Sequence, residues 1–152
     1  MKKEKLIKKT IEELLKKMNF DKVIVEVKKQ ENSSILIASI QVEDASQLIG
    51  QSGSNLNDLQ RVLRLLVAKK DPEAPFFLVD INGYREKREI FLKDLGREIA
   101  EQVAKSKKSV MLQPMSSYER RIIHLELVEK SDIVTESIGE GPERRIVIRP
   151  YP

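Results

Sequence analysis

Ile49-Gly50-Gln51-Ser52-Gly53-Ser54-Asn55-Leu56 is the stretch on which the reading of this sequence turns. Before it stands Ser46-Gln47-Leu48-Ile49, too short for an independent helix; after it, Leu56, Leu59, Leu63 and Leu66 recur at helical spacing, widened by Val62 and Val67. Glycine has no Cβ, so Gly50 and Gly53 can take unusual dihedrals and let a foreign backbone come close. The loop runs into a helix N-terminus, where unpaired N–H groups and the positive dipole end favour phosphate. No Gly-Lys-Ser/Thr follows, which excludes a P-loop. Taken alone, a Gly-x-x-Gly segment is also an ordinary connector between helices, so its neighbours decide.

Upstream, residues 3–18 place Ile7, Ile11, Leu14 and Met18 on one helical face, with Leu6 and Leu15 beside them and Lys and Glu opposite. Residues 22–29 alternate Val23, Val25 and Val27 with Ile24, Glu26 and Lys28, the period of a half-buried strand. Gln30-Glu31-Asn32-Ser33 is a turn, and residues 34–43 return as a second strand. A phase change near Ala38-Ser39 predicts a bulge there. Downstream, Lys69-Lys70-Asp71-Pro72 ends the leucine helix, Phe76–Ile81 reads as a strand, and Asn82-Gly83 is a turn and the expected domain boundary.

Residues 84–105 then read as a long helix lined by Leu92, Leu95, Ile99 and Val103. Val110-Met111-Leu112 is a short strand candidate. Ser116-Ser117-Tyr118-Glu119 has the spacing of a capping box and opens a helix to about Lys130. Residues 133–138 and 144–149 form a hairpin around Gly139-Glu140-Gly141-Pro142-Glu143. On the capped helix, Arg120 and His124 are four residues apart and share a face. A guanidinium beside an imidazole suits phosphate and base contacts. Spacing alone equally allows an exposed or structurally bonded His124 and an Arg120 paired to a carboxylate.

Composition narrows the classes. The 152 residues are 40% hydrophobic and 34% charged, enough for two small cores and against wholesale disorder. Cysteine is absent and there is one histidine, which excludes disulfides and thiol catalysis and argues against zinc. Met1-Lys2-Lys3-Glu4-Lys5 leads into an amphipathic segment rather than the apolar run of a signal peptide, and no stretch has the length of a membrane span; a cytoplasmic protein is the expectation. The net charge is +4, and residues 1–83 and 84–152 each carry 14 basic and 12 acidic groups. A nucleic-acid site must therefore be a local patch. No Walker, Gly-x-Ser-x-Gly or deaminase pattern occurs, and His124 has no neighbouring nucleophile in sequence.

Two resemblances organise these signals. The helix–hairpin–Ile49-Gly50-x-x-Gly53-x-x-Leu56–helix–strand order over residues 1–82 resembles a KH domain of the bacterial, type II topology (α-β-β-α-α-β). Such domains clamp about four nucleotides of single-stranded backbone at the loop. Many of them carry Lys or Arg between the glycines, where Gln51 and Ser52 stand here; Arg61, Arg64, Lys69 and Lys70 are candidate sources of charge. Residues 86–149, with Pro114, the Arg120-x-x-x-His124 helix and the Gly139–Arg145 hairpin, resemble the Arg-x-x-x-His (R-3-H) domain, a small single-stranded nucleic-acid binder. The two in this order are similar to the bacterial Jag family, also called KhpB or EloR.

The resemblance implies an α+β protein: a KH-like domain at 1–82, then a small α/β Arg-x-x-x-His domain at 83–152, joined through a long helix. It implies binding of single-stranded RNA (single-stranded DNA second), without turnover and without a cofactor or metal, in an RNA-chaperone-like role in RNA stability or translation and cell elongation. The residues expected to carry it are Gly50, Gln51, Ser52, Gly53, Arg120 and His124, with Arg144 and Arg145 extending the basic surface. A small KH-only protein or a second copy is the expected protein partner. The rival readings are a protein–protein adaptor with a vestigial RNA groove and an unrecognised nuclease.

Overall fold

The change of hydrophobic period along the chain, from helical to alternating and back, is reproduced in space. A computed structural model describes residues 1–152. The chain divides into two compact units, residues 1–85 and 86–152.

The first unit runs α1 (Lys2–Lys17), β1 (Val23–Lys29), β2 (Leu36–Val42), the single turn α2 (Ser46–Ile49), a 3-10 turn over Gln51–Gly53, α3 (Ser54–Lys70) and β3 (Phe77–Ile81). The sheet order is β1-β2-β3, with β1 antiparallel and β3 parallel to β2. A parallel pair needs a crossover, and α2, the glycine loop and α3 supply it. Ile7, Ile11 and Leu15 of α1 and Leu56, Leu59, Leu63 and Val67 of α3 pack on Val25, Ala38, Ile40, Phe77, Val79 and Ile81 of the sheet. Lys70 ties α1 to α3, its Nζ lying 2.9 Å from Glu13 Oε2 and 3.3 Å from Thr10 Oγ1. The Lys70 ammonium bonded to it holds the Glu13 carboxyl below the usual carboxylate range.

β3 is a sheet edge, and the outward backbone groups of Val79 at its middle are taken by side chains. The Val79 N–H donates to Gln60 Oε1 (2.9 Å), and Arg85 Nε donates to the Val79 carbonyl (2.9 Å). Arg85 Nη2 also donates to Gln60 Oε1 at 3.0 Å, which closes the set.

The second unit contains most of α4 (Tyr84–Ser106), then β4 (Val110–Met111), α5 (Ser117–Leu127), β5 (Ile133–Ile138) and β6 (Arg145–Pro150). The sheet order is β4-β6-β5, antiparallel throughout. Leu92, Ala100 and Val103 of α4 and Ile123 and Leu127 of α5 form its core with Leu112, Ile133, Ile146 and Ile148. No helix is long and apolar enough to cross a membrane.

Three expectations from hydropathy are corrected by the packing. β2 has no bulge: its pairing with β1 is continuous from Val23 opposite Val42 to Lys29 opposite Leu36. Its buried residues are Leu36, Ala38 and Ile40, in one unbroken phase. In α1 the buried stripe is Ile7, Thr10, Ile11 and Leu15, while Met18 lies beyond the helix and is exposed. In α4 the fully buried positions are Leu92, Gly96, Ala100 and Val103, with Leu95 and Ile99 half-buried beside them. The cause is shared by β2 and α4. Ala and Gly contribute little transfer free energy, so hydropathy passes over them, yet they let elements approach closely.

Gly96 has helical dihedrals, and a Cβ built on it would lie 3.4 Å from Ile123 Cγ2 and 3.7 Å from Leu127 Cδ1, ordinary contact distances. Gly96→Ala should therefore raise the stability of the second unit by about 0.5–1 kcal/mol, the helix-interior advantage of Ala over Gly. Gly96→Leu should overpack the same contact and cost about 1–3 kcal/mol. Denaturant melts of the two variants check this, and a clear loss of stability in the alanine variant contradicts it.

Candidate nucleic-acid interface

The glycine loop is shaped from inside. α2 ends at Ile49, and Gly50 turns the chain with φ 71° and ψ −178°. Ser52 follows with φ 53° and Gly53 with φ 79°, both left-handed. A Cβ on Gly50 would lie 2.6 Å from Asn55 Cγ, and one on Gly53 would lie 2.9 Å from Tyr84 Cε1. Asn55 Nδ2 in turn donates to the Gln47 carbonyl at 2.8 Å, which fastens α2 to α3. The space left by the missing Cβ atoms is thus occupied by the chain's own Asn55 and Tyr84. What the loop turns outward is Gln51 and Ser52, both exposed, at the N-terminus of α3; Gly53 is buried.

The basic residues of α3 stand away from this loop. At 1.5 Å per residue, Lys69 and Lys70 lie about 22–24 Å along the helix from Ser54. Lys70 is engaged with Glu13, and Arg61 Nη1 lies 4.0 Å from Asp58 Oδ1. Arg64 stacks over the Phe76 ring, 4.2 Å from its centroid.

The Arg-x-x-x-His helix α5 is set by two polar contacts at its start. Ser116 caps it, its Oγ accepting from the Glu119 N–H at 3.2 Å. The Glu119 carboxylate leaves the capping box and pairs with Arg88 of α4, with Nε 2.8 Å from Oε1 and Nη2 3.4 Å from Oε2. Its side chain is 10% exposed and that of Arg88 22%. Glu119, Ile123 and Leu127 thereby face inward. By helical rotation, Arg120 and His124 are left on the flank that overlooks β5.

There the structure assembles a polar hollow of about 690 Å³ whose lining includes Arg120, His124, Thr135, Ser137 and Arg144. Arg120 Nη1 donates to the Met115 carbonyl at 2.9 Å, which anchors the guanidinium. His124 Nδ1 and Thr135 Oγ1 are 2.6 Å apart, so Nε2 is the ring nitrogen left to meet a ligand. Arg144 Nε donates to Ser137 Oγ at 2.9 Å. Arg121 and Tyr118 complete the wall, and no carboxylate lines it. The hollow is cationic and rich in hydrogen-bond donors, which suits an anionic ligand such as a phosphodiester.

Arg145 does not join it. Successive strand residues point to opposite faces, and Arg145 turns away from the face of Ile146. It pairs with its neighbour instead, Nη2 lying 3.0 Å from Glu143 Oε2. Its Nε donates to the Glu143 carbonyl at 3.1 Å. Of the pair expected to extend one basic surface, the structure places Arg144 at the hollow and Arg145 away from it. Sequence reasoning missed Tyr118, Arg121, Thr135 and Ser137. Thr135 and Ser137 carried a signal: they follow Ile133 at period 2 on the inward face of β5, where apolar residues would continue the core.

Residues 90–150 match the model of the R-3-H domain family. The chain is 36% identical over 138 residues to the RNA-binding protein KhpB of Clostridium symbiosum, covering 91% of this chain and 62% of that protein. It is 39% identical over 121 residues to the RNA-binding protein KhpB of Bacillus subtilis (strain 168), covering 78% and 58%. It is 35% identical over 101 residues to the protein of the same name in Lactiplantibacillus plantarum, covering 66% and 31%. The chain thus spans about three fifths of the length of the first two relatives.

The Arg88–Glu119 pair yields a stability test. Glu119→Ala should cost the second unit about 2–4 kcal/mol, because it removes the carboxylate from a largely buried, two-point charge-assisted pair. Glu119→Gln keeps one hydrogen bond and should cost less. A thermal melt of each variant reads the effect, and wild-type stability in the alanine variant would show that the pair contributes nothing.

Proposed function

Because the chain belongs to the bacterial KhpB (Jag) family and carries an R-3-H domain, we propose that it is a regulatory protein that binds single-stranded RNA without turning it over. One observation carries this reading: the hollow that gathers Arg120, His124 and Arg144 with no opposing carboxylate. All three side chains are pre-oriented, Arg120 by the Met115 carbonyl, His124 by the Thr135 hydroxyl and Arg144 by the Ser137 hydroxyl. A phosphodiester placed there meets donors that are already ordered, so little side-chain entropy opposes binding. The relatives are named as RNA-binding proteins, which supports the same ligand class.

The first unit contributes, in this proposal, as a KH-like module of type II topology. Support comes from the α-β-β-α-α-β order, the parallel β2–β3 pair and the Gln51-Ser52 tip at the start of α3. Without a basic residue in the tip, its hold on phosphate comes from backbone N–H groups, the helix dipole and two neutral side chains. It is the weaker of the two contacts. A role in RNA stability or translation, a cytoplasmic location, and pairing with a small KH-only protein or a second copy complete the proposal. The adaptor reading draws on a specific surface: Leu65 is 72% exposed and Phe76 45% exposed at one hollow of the first unit, away from the loop.

Fluorescence anisotropy with a short single-stranded RNA at several salt concentrations tests the reading. Arg120→Ala should weaken binding and lower the slope of log affinity against log salt by about one counterion. Its melting temperature should change little, since only one hydrogen bond to the backbone is lost. Wild-type affinity and slope in that variant would remove Arg120 from the interface. Replacing Gln51 and Ser52 together by Asp should weaken binding further, because both face solvent and the new anions would repel phosphate. If wild type binds no RNA even at low salt, the adaptor reading takes over.

A further inference from the structure

The wall of the second unit's hollow includes one aromatic ring. Tyr118, in the first turn of α5, lines the hollow and is 67% exposed. The helix buries Glu119, Ile123 and Leu127, so a ring at position 118 cannot reach the core. It stands at the rim, about 60° around the helix from Arg121. Two other exposed rings of this chain are each covered by a guanidinium: Phe76 by Arg64 at 4.2 Å, and Phe91 by Arg88 at 5.3 Å. Tyr118 belongs to neither pair. Its π-face is left to solvent beside a concentration of positive charge.

A single strand of nucleic acid presents planar bases along an anionic backbone. A phosphate held among Arg120, His124 and Arg144 brings an attached base to the rim of the same hollow. We propose that Tyr118 is a stacking platform for that base, so that the hollow grips one phosphate electrostatically and one adjoining nucleobase by its π-face. This rests on the RNA-binding reading above and adds a base contact to it. Stacking of this kind accepts every base, because each has a π-face. Leu125 and Val128, 55% and 59% exposed, continue along α5 but do not line the hollow. They serve as the control for a protein-binding face.

The test uses the full chain and two short single-stranded RNAs of equal length, one complete and one with a run of abasic sites. Binding is measured by anisotropy across a salt series for wild type, Tyr118→Ala, Tyr118→Phe, Leu125→Ala and Arg120→Ala. Tyr118→Ala should lower affinity for the complete strand by about fivefold to a hundredfold, the range for loss of one base–aromatic stack. Its salt slope should stay at the wild-type value, because no counterion release is lost. The preference for the complete over the abasic strand should shrink in Tyr118→Ala and persist in Tyr118→Phe and Leu125→Ala. Arg120→Ala should instead weaken both strands and reduce the slope. The proposal is overturned if Tyr118→Ala keeps the wild-type preference, or if Leu125→Ala loses as much of it. Failure of wild type to bind either strand overturns the RNA-binding reading itself, whereas normal wild-type binding with an unaffected Tyr118→Ala overturns the stack alone.

Discussion

The ion pair between Arg88 and Glu119 is the contact that orients the cationic hollow of the second unit. It draws a carboxylate in the first turn of α5 to a guanidinium on α4, largely away from water. Two charges removed from solvent gain only when their geometry is good, and the two-point contact between the guanidinium and the carboxylate meets that need. Once Glu119 is turned inward, the 100° step of the helix turns Arg120 and His124 toward β5. Ile123 and Leu127 follow Glu119 into the core and hold that rotation with apolar contact. The orientation of the cationic hollow is therefore a consequence of where one acid is buried.

A comparable division of labour holds at the glycine loop. Its conformation is maintained by Asn55 and Tyr84, which fill the space where side chains on Gly50 and Gly53 would be. Gly53 is buried, and the tip presents Gln51 and Ser52. Both elements thus separate residues that hold a shape from residues that are turned outward. In α5 the holding residue is Glu119 and the presented ones are Arg120 and His124. In the loop Asn55 and Tyr84 hold, packed against the two glycines, and the two residues between the glycines are presented.

Much of this was legible from residue order. The alternation of Val23, Val25 and Val27, the leucine spacing after Gly53, the Ser116 cap and the Arg120–His124 spacing each led to the element observed. The failures share a physical origin. Ala38, Gly96 and Ala100 occupy core positions through smallness, and hydropathy has no term for the space a residue leaves to its neighbours. Thr135 and Ser137 were overlooked because their role depends on α5 lying across β5. Arg145 was grouped with Arg144 because adjacency in sequence resembles adjacency in space, until the pleat of a strand sends them to opposite faces.

By itself the sequence determined the periods, the turns and the types of chemistry present: helices where apolar residues recur every three to four positions, strands where they alternate, one histidine, no cysteine, and basic residues in local clusters. These are properties of the chain and its nearest neighbours, and short-range geometry suffices to read them. Only the tertiary structure decided which charges are used up and which are offered. Glu119 has the sequence of a capping-box acid, yet its carboxylate bonds a guanidinium 31 residues away. Lys70 and Arg61 count as positive charge in the composition, but each lies within 4.0 Å of a carboxylate. Arg120, His124 and Arg144 come from a helix and a hairpin, and they line one hollow because the fold brings them together with no acid between them. Electrostatic attraction acts through space and falls with distance, so the order of residues along the chain cannot tell a neutralised cation from a free one.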